Sequence, residues 1–237
     1  MALDEPEIER YARQLLLPAL GEQGQERLRA AQVRVVGSSP VAGPAMLYLA
    51  EAGLGRILVD LWGKVGPADA GAWLFGPDGT DRSRADAAVD ALRRVNRLIE
   101  VRRQTSEDRP TVVLVCSEAQ DERLTLAQEA RRSGLPCLVA EASGDGGRLV
   151  VLPAGGPCYA CAGDPTPEED SSPGGVAALG ALCALELVLL VAGASQGPRA
   201  RRITLSSGIP SAAALERRAD CTCALAPTSS VEGAGQA

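Results

Sequence analysis

The sequence contains no histidine. This absence removes the side chain that most often acts as general acid or base near neutral pH. It also excludes Ser–His and Cys–His nucleophile pairs within this chain. A bound metal ion would therefore have to be held by cysteine thiolates or by carboxylates.

Aromatic residues and lysine are scarce as well, and acidic residues outnumber basic ones. Aromatic side chains make up 3% of the chain, so its core must be built mainly from valine, leucine, alanine and isoleucine. Lys64 is the only lysine, and the formal net charge is −6. Because nucleic acids are bound through a surplus of basic residues, this charge argues against nucleic acid as a principal partner.

Secretory and membrane signals are also lacking. The N-terminus is acidic and polar, and Glu186 interrupts the most apolar run, residues 176–194. Such a run is typical of a buried helix rather than a membrane span, so we expect no membrane partner. Seven cysteines without a secretory signal favour a reducing cytoplasm, where thiols bind metal or pack as small hydrophobic side chains.

Apolar strand-like runs alternate with helical segments in the first part of the chain. Two helices are expected within residues 5–31. They are followed by strands at 33–37, 56–61, 100–104, 111–116 and 136–141, and by helices at 44–53, 82–98 and 119–133. This alternation predicts an α/β fold, Rossmann-like, with a mostly parallel sheet and helices on both faces.

The pattern changes after residue 141. We expect a further strand at 148–152, a long apolar helix at 176–194 and two C-terminal antiparallel strands at 201–206 and 211–217. Residues 1–225 are interpreted as one domain. Its parts are the N-terminal helices (5–31), a nucleotide-binding-like half (32–141) and a half with the late helix and the cysteine pairs (142–225). Residues 226–237 are expected to form a disordered tail after the domain.

The loop after the first predicted strand looks like a phosphate-binding loop that has lost most of its glycines. Phosphate sites in such folds need glycine there, because the backbone must approach phosphate closely at a helix N-terminus. Only Gly37 stands where the pattern requires it. Pro40 and Pro44 each remove an N–H donor from the loop. The sequence therefore predicts that the scaffold persists without its phosphate cradle.

Two cysteine pairs flank the late helix. Cys158 and Cys161 have the spacing of metal ligands, and Cys221 and Cys223 are one residue closer than a usual pair. Residues two apart can converge on one ion when they lie in a turn. The set predicts a structural zinc ion held by four thiolates, a zinc knuckle. The alternative is a group of free thiols that has lost its metal.

Four features occur together in a fixed order. They are residues 9–14 (ERYARQ), the strand–loop–helix at 33–53, the turn at 157–161 (PCYAC) and the late cysteine pair. In this order they resemble the ThiF/MoeB/HesA family, the adenylating enzymes related to ubiquitin-activating enzymes, over residues 7–223. The resemblance implies the reaction of that family, in which the C-terminal carboxylate of a ubiquitin-like or sulfur-carrier protein attacks the α-phosphate of ATP. It also implies Mg²⁺ as a cofactor and such a carrier protein as a partner.

The resemblance also implies roles for residues of the nucleotide site. Asp60 matches the family acid that meets the ribose, but Trp62 replaces the next acid. The family lysine falls at Arg84, which keeps the charge but not the geometry. Asp60 could instead cap a turn at a strand end, and Arg84 could be a solvated helix residue.

The remaining parts of the family site are changed further. The family's asparagine and phosphate-binding arginine fall near Asp69 and Ala72, so the arginine is missing. The metal-binding aspartate becomes Glu118, with Ala119 where asparagine is usual. Glu118 could equally be an acid at a helix start, where the helix dipole favours it. ATP and Mg²⁺ are therefore doubtful cofactors of this chain.

Two further sequence features bear on chemistry. The loop at 163–175 lacks the catalytic cysteine of some family members, and Cys183 is expected to be a buried thiol.

Arg13 lies in the intact Arg-Tyr-x-Arg-Gln signature, and in the family this arginine reaches across a dimer interface to the partner's γ-phosphate. The alternative for Arg13 is a surface arginine paired with Glu9.

Three functions remain after this comparison. The first is a non-catalytic dimer subunit or scaffold, homodimeric or paired with an active ThiF-like protein, to which Arg13 is supplied in trans. The second is an active adenylyltransferase that uses the altered loop. The third is an unrelated Rossmann-like oxidoreductase, against which the N-terminal signature and the cysteine pairs count.

Overall fold

This computed structural model describes residues 3–66, 69, 74–75, 80–163, 170–194, 199–221 and 223. Eight strands form one sheet in the order β3-β2-β1-β4-β5-β6-β7-β8. They are β1 (Gln32–Gly37), β2 (Arg56–Leu61), β3 (Glu100–Arg103), β4 (Val112–Cys116), β5 (Cys137–Ser143), β6 (Gly146–Leu152), β7 (Arg201–Ser206) and β8 (Ile209–Ala214).

Within the described residues, six helices and one 3₁₀ turn accompany the sheet. They are α1 (Glu5–Leu15), α2 (Gly21–Ala30), α3 (Ala42–Glu51), α4 (Arg84–Val95), α5 (Gln120–Arg132), α6 (Pro173–Ala192) and the 3₁₀ turn Tyr159–Ala162. Strands β1 to β5 pair in parallel, and β6, β7 and β8 join by antiparallel pairing. The predicted α/β fold with C-terminal antiparallel strands is confirmed.

Strands in the middle of the sheet, such as β4 and β6, are buried on both faces, whereas β8 is exposed throughout. Neighbouring residues of a strand point to opposite sides, so each central strand contributes to two cores. Val33 and Val35 belong to a large core shared with α3, α4 and α6. Val36 belongs to a second core shared with α5 and the 3₁₀ turn. Burial on both faces explains why the central strands are near-continuous runs of valine and leucine.

The late helix starts earlier than its apolar pattern indicates. Helix α6 begins at Pro173, where the Ser172 side chain caps the N–H of Gly175 at 3.0 Å, and it ends before Gly193 in the left-handed conformation. The expected start at 176 was wrong because Pro173 and two glycines can occupy a capped first turn without apolar side chains. The predicted disordered tail, 226–237, lies outside the described residues.

Helix α6 is the one helix, among the described residues, that is long and apolar enough to cross a membrane, with a mean hydropathy of 2.4. Half of that stretch is buried within the fold. Leu179, Cys183 and Leu187 are fully buried in the core shared with the sheet. Packing against the core therefore explains the apolar composition of α6.

Candidate nucleotide cleft and metal centre

The loop after β1 is bound tightly to the end of β4. Gly37 has a φ of 135°, and a Cβ at this position would lie 1.9 Å from the Cys116 carbonyl oxygen. The N–H of Ser39 donates to the same carbonyl at 2.8 Å. Gly37 is thus required by close packing, and the Ser39 N–H is engaged by the chain itself.

The N-terminus of α3 has no donor left over for an anion. A helix normally leaves its first N–H groups without backbone partners, and these groups make a phosphate site. Here Ala42 and Gly43 donate to the carbonyls of Ser39 and Pro40, each at 3.2 Å, and Pro44 has no N–H. The preceding N–H, of Val41, faces the Ser39 Oγ at 3.4 Å.

Arg84 fills the cleft beside this loop. Its Nη1 donates to the Ser38 carbonyl, and its Nη2 donates to Asp69 Oδ2 at 2.8 Å. The side chain is only 20% exposed and its Nε is buried without a partner among the described residues, so a solvated helix residue is the wrong interpretation. The remaining cavity between loop, Leu61, Asp69 and Arg84 has a volume of about 10 Å³, roughly the room of one water molecule.

The Asp60 carboxylate is bound by an arginine of the neighbouring strand β1, on the same face of the sheet. Its Oδ2 accepts from Arg34 Nε at 2.9 Å and Nη2 at 2.7 Å, and Arg34 also pairs with Glu129 at 2.8 Å. Although burial opposes the charged form, these two acids raise the pKa of Arg34 above its ordinary value. Asp60 does not line the cleft, whereas the adjacent Leu61 does.

The four residues assigned to a nucleotide site lie at or beside the carboxyl ends of β1, β2 and β4, but only two of them line this small cavity. Gly37 and Arg84 line one cleft, and Asp60 and Glu118 do not. The Glu118 side chain is exposed and forms no hydrogen bond with the described part of the chain. Trp62 is 38% exposed, and Ala72 lies outside the described residues. Ala119 is the N-cap residue of α5.

Arg13 stands free on a helix whose neighbouring residues are anchored. Tyr11 is buried and accepts a hydrogen bond from Asn96 Nδ2 at 2.9 Å, and Arg10 pairs with Glu51 at 2.8 Å. Arg13 is exposed, and within the described residues it makes no hydrogen bond or ion pair, to Glu9 or to any other group. The signature therefore fixes α1 through Arg10 and Tyr11 and leaves Arg13 available.

The two cysteine pairs converge. All four Sγ atoms lie within 4.8 Å of one another. Cys158 Sγ lies 3.8 Å from Cys161 Sγ and 3.4 Å from Cys221 Sγ, and Cys161 Sγ lies 3.4 Å from Cys223 Sγ. Tetrahedral zinc with Zn–S bonds of about 2.3 Å requires sulfur atoms roughly 3.8 Å apart. These four residues could hold a metal ion, and the soft donor set suits zinc.

The thiols of this set differ in their acidity. Burial raises the pKa of Cys158 to about 12, and a hydrogen bond with Cys221 adds to that rise. At Cys161, burial also opposes ionisation, but hydrogen bonds from the Arg218 backbone and the Cys223 thiol lower the pKa to about 7. Metal binding must therefore displace protons from the set, because only the thiolate is a good ligand.

Arginine side chains hold the first cysteine turn in place. Arg131 donates to the Gly156 carbonyl and Arg217 to the Gly155 carbonyl, just before Cys158. Arg148 and Arg202 donate to the Ala162 carbonyl at 3.4 and 3.1 Å, just after Cys161. A divalent ion with four thiolates carries a net charge of about −2. The positive charge of these nearby guanidinium groups would stabilise it.

The other cysteines are buried thiols. Cys183, predicted to be buried, is fully so, and Cys116 and Cys137 are as well. Burial raises the pKa of all three above the ordinary value for a thiol. They are therefore inert at neutral pH.

Comparison with known proteins gives one consistent family. The model of the ThiF family matches residues 11–223. The adenylyltransferase and sulfurtransferase MOCS3 of Bos taurus is 37% identical over 213 residues, covering 81% of this chain and 47% of that protein. The vegetative protein HesA of Trichormus variabilis is 31% identical over 221 residues, covering 86% of this chain and 83% of that protein.

Solved structures agree on the fold. The E. coli MccB structure with ATP superposes with a TM-score of 0.77 at 16% identity, covering 93% of this chain and 75% of that one. The MccB structure with succinimide gives a TM-score of 0.75 at 17% identity, covering 90% and 74%. The present chain spans about half the length of the MOCS3 relatives that it matches.

Proposed function

The chain belongs to the ThiF family, and from that premise we propose that it is a non-catalytic member. It acts as a scaffold subunit that forms a dimer and supplies Arg13 to the active site of a catalytically competent ThiF-like partner. The partner in turn adenylates a ubiquitin-like or sulfur-carrier protein. In the simplest version of this proposal, the chain forms a homodimer that serves only as a binding module.

The main support for the proposal is that side-chain and backbone groups of the chain itself fill the cleft. Arg84 spans from the Ser38 carbonyl to Asp69, and the Ser39 N–H is bound to the Cys116 carbonyl. Nucleotide pockets generally need hundreds of Å³ and several converging donors, whereas the cavity here is about 10 Å³. ATP would have to displace an ion pair and find donors that the loop does not offer.

The free position of Arg13 supports a role outside its own subunit. An arginine that approaches a transferring phosphate stabilises charge in the transition state. Arg13 is exposed and has no partner in the described part of its chain, while the cleft of the same chain is closed. Serving that cleft would therefore be a poor explanation of the intact signature.

Exposed apolar side chains support the dimer. Tyr48 on α3 is 45% exposed and Leu185 on α6 is 54% exposed, although these two helices pack against each other. Leu16, at the end of α1, is 82% exposed. Contiguous exposed apolar patches mark surfaces that a protein partner covers, and these side chains are our candidates for such a patch.

We further propose that Cys158, Cys161, Cys221 and Cys223 hold one structural zinc ion. The ion would tie the segment after β8 to the turn before α6, in a chain with few aromatic side chains for packing. All seven cysteines are free thiols, which supports a cytoplasmic location.

The second candidate is an active adenylyltransferase, favoured by the relatives named as such at 37% identity. ATP–pyrophosphate exchange separates the two. The assay would use this chain alone, a ThiF-family partner with an intact glycine loop alone, and the purified pair. We expect no exchange by this chain, and exchange by the pair that falls by about 10³ with Arg13→Ala.

Arg132→Ala is the matched control, since Arg132 is also an exposed helix arginine. It should leave exchange by the pair unchanged. Exchange by this chain alone would refute the non-catalytic proposal. An unaffected rate with Arg13→Ala would reject the trans role and leave a scaffold.

A further inference from the structure

A chain of buried polar side chains runs from the cysteine set to the loop after β4. Tyr159 lies between Cys158 and Cys161, and its hydroxyl donates to Glu141 Oε1 at 2.5 Å. The same hydroxyl accepts from Arg123 Nε at 3.1 Å. Tyr159, Glu141 and Arg123 are 6%, 1% and 4% exposed. Bulk water therefore contributes little to these contacts, and each group depends on the next.

Arg123 connects this chain to the loop Cys116–Ala119. From α5, its Nη1 donates to the carbonyls of Ser117 and Glu118, at 2.9 and 2.6 Å. The adjacent Cys116 carbonyl receives the N–H of Ser39, so the loop after β4 also supports the loop after β1. A shift of the Arg123 guanidinium would be felt at both loops.

Glu141 holds the middle of the chain of contacts. It stands opposite Arg148 in the β5–β6 hairpin and accepts from that arginine's Nε and Nη2 at 2.9 and 2.6 Å. Arg148 also reaches the Ala162 carbonyl, next to Cys161. The carboxylate is thus fixed by the hairpin, and Tyr159 is the member whose position depends on the cysteine turn.

We propose that Tyr159 and Arg123 form a relay through which metal occupancy of the four-cysteine site sets the order of the loop Cys116–Ala119. A metal ion that binds Cys158 and Cys161 fixes the backbone on both sides of Tyr159. The fixed hydroxyl then orients Arg123 on the two loop carbonyls. The relay rests on the proposed metal binding and makes Tyr159 a positioning residue.

The test is hydrogen exchange of the full chain, zinc-loaded and chelator-treated, with zinc content measured in each sample. Variants are Tyr159→Phe, which keeps the ring but removes the hydroxyl, and Tyr48→Phe, an exposed tyrosine as matched control. In wild type and Tyr48→Phe, we expect zinc removal to speed exchange at 116–123 by about 3- to 10-fold. Helix α4, which has no part in the relay, should change less.

Zinc-loaded Tyr159→Phe should already exchange fast at 116–123 and respond little to the chelator. Reciprocity further requires that Tyr159→Phe and Arg123→Lys weaken zinc affinity. If chelation unfolds the whole chain, α4 will exchange as well, and the comparison is then made among zinc-loaded wild type, Tyr159→Phe and Arg123→Lys.

Equal exchange at 116–123 in those three zinc-loaded proteins would overturn the relay. So would a Tyr159→Phe chain that responds to zinc as wild type does. A wild-type chain that binds no zinc would refute the metal proposal itself, and the zinc analysis identifies that case separately.

Discussion

The cysteine set and the loop after β1 are the two regions where the sequence suggests a ligand site, but their ligand-binding groups point to different targets. At the first, four sulfur atoms lie within 4.8 Å of one another, and three of their separations are 3.4 to 3.8 Å. At the second, the N–H groups of Ser39, Ala42 and Gly43 all donate to carbonyls of the chain itself. Retention of a site is therefore better judged by where its donors point than by which residues are present.

The two regions also differ in what surrounds them. The cysteine turn is backed by the buried pair of Glu141 and Arg148, which are 1% and 5% exposed. On the other side of the loop after β1, Asp60 is held by Arg34, whose other partner Glu129 is 54% exposed. The first region is built into the core, and the second ends at the surface.

The largest effect is expected when the cysteine set is broken. Cys158→Ser should abolish stoichiometric zinc binding and lower the midpoint of thermal unfolding by about 10 °C, because metal binding is coupled to folding. Elemental analysis and calorimetry measure the two quantities. Cys137→Ala, a buried thiol outside the set, should keep its zinc. A zinc-free wild type, with Cys158→Ser equally stable, would contradict the metal centre.

A smaller effect should separate the buried ion pair from the surface one. In zinc-loaded protein, Glu141→Gln should lower the free energy of unfolding by about 3–5 kcal/mol, because it leaves a buried guanidinium uncompensated. Glu129→Gln should cost less than about 1 kcal/mol, since its pair is solvent-exposed. Urea unfolding measures both. Equal costs would mean that the two regions do not differ in burial as described.

The smallest effect is expected from emptying the cleft. Arg84→Ala removes the side chain that spans Ser38 and Asp69. We expect ATP still not to raise the unfolding temperature, because the N–H groups of Ser39, Ala42 and Gly43 remain bound to carbonyls of the chain. A clear ATP-dependent rise in this variant would show that Arg84 alone closes the cleft, and that the loop is competent.

Much of the fold followed from local pattern. The valine-rich strands and the order of elements predicted the sheet, because burial on both faces imposes apolar runs whatever the distant contacts. The ligand spacing of Cys158 and Cys161 likewise marked the four-cysteine cluster. Boundaries were less predictable where a cap decided them, as Ser172 does for α6.

The details of the cleft depended on contacts between distant residues. Arg34 meets Asp60, 26 residues later, only once β1 and β2 are paired, and Arg84 reaches Ser38 across 46 residues. A charged residue within the apolar strand at 33–37 was a signal that Arg34 needed a partner. Glu141 and Arg148, opposite charges in two apolar strands joined by a tight turn, were a comparable signal.

The central claim is that the zinc-loaded chain is closed to nucleotide while its cysteine set binds metal. Calorimetric titration of ATP and Mg²⁺ into the purified zinc-loaded chain tests this most directly. We expect no saturable heat up to millimolar ATP, with one zinc ion per chain. A dissociation constant in the micromolar range would contradict it, and would mean that the loop after β1 opens and still serves as a phosphate cradle.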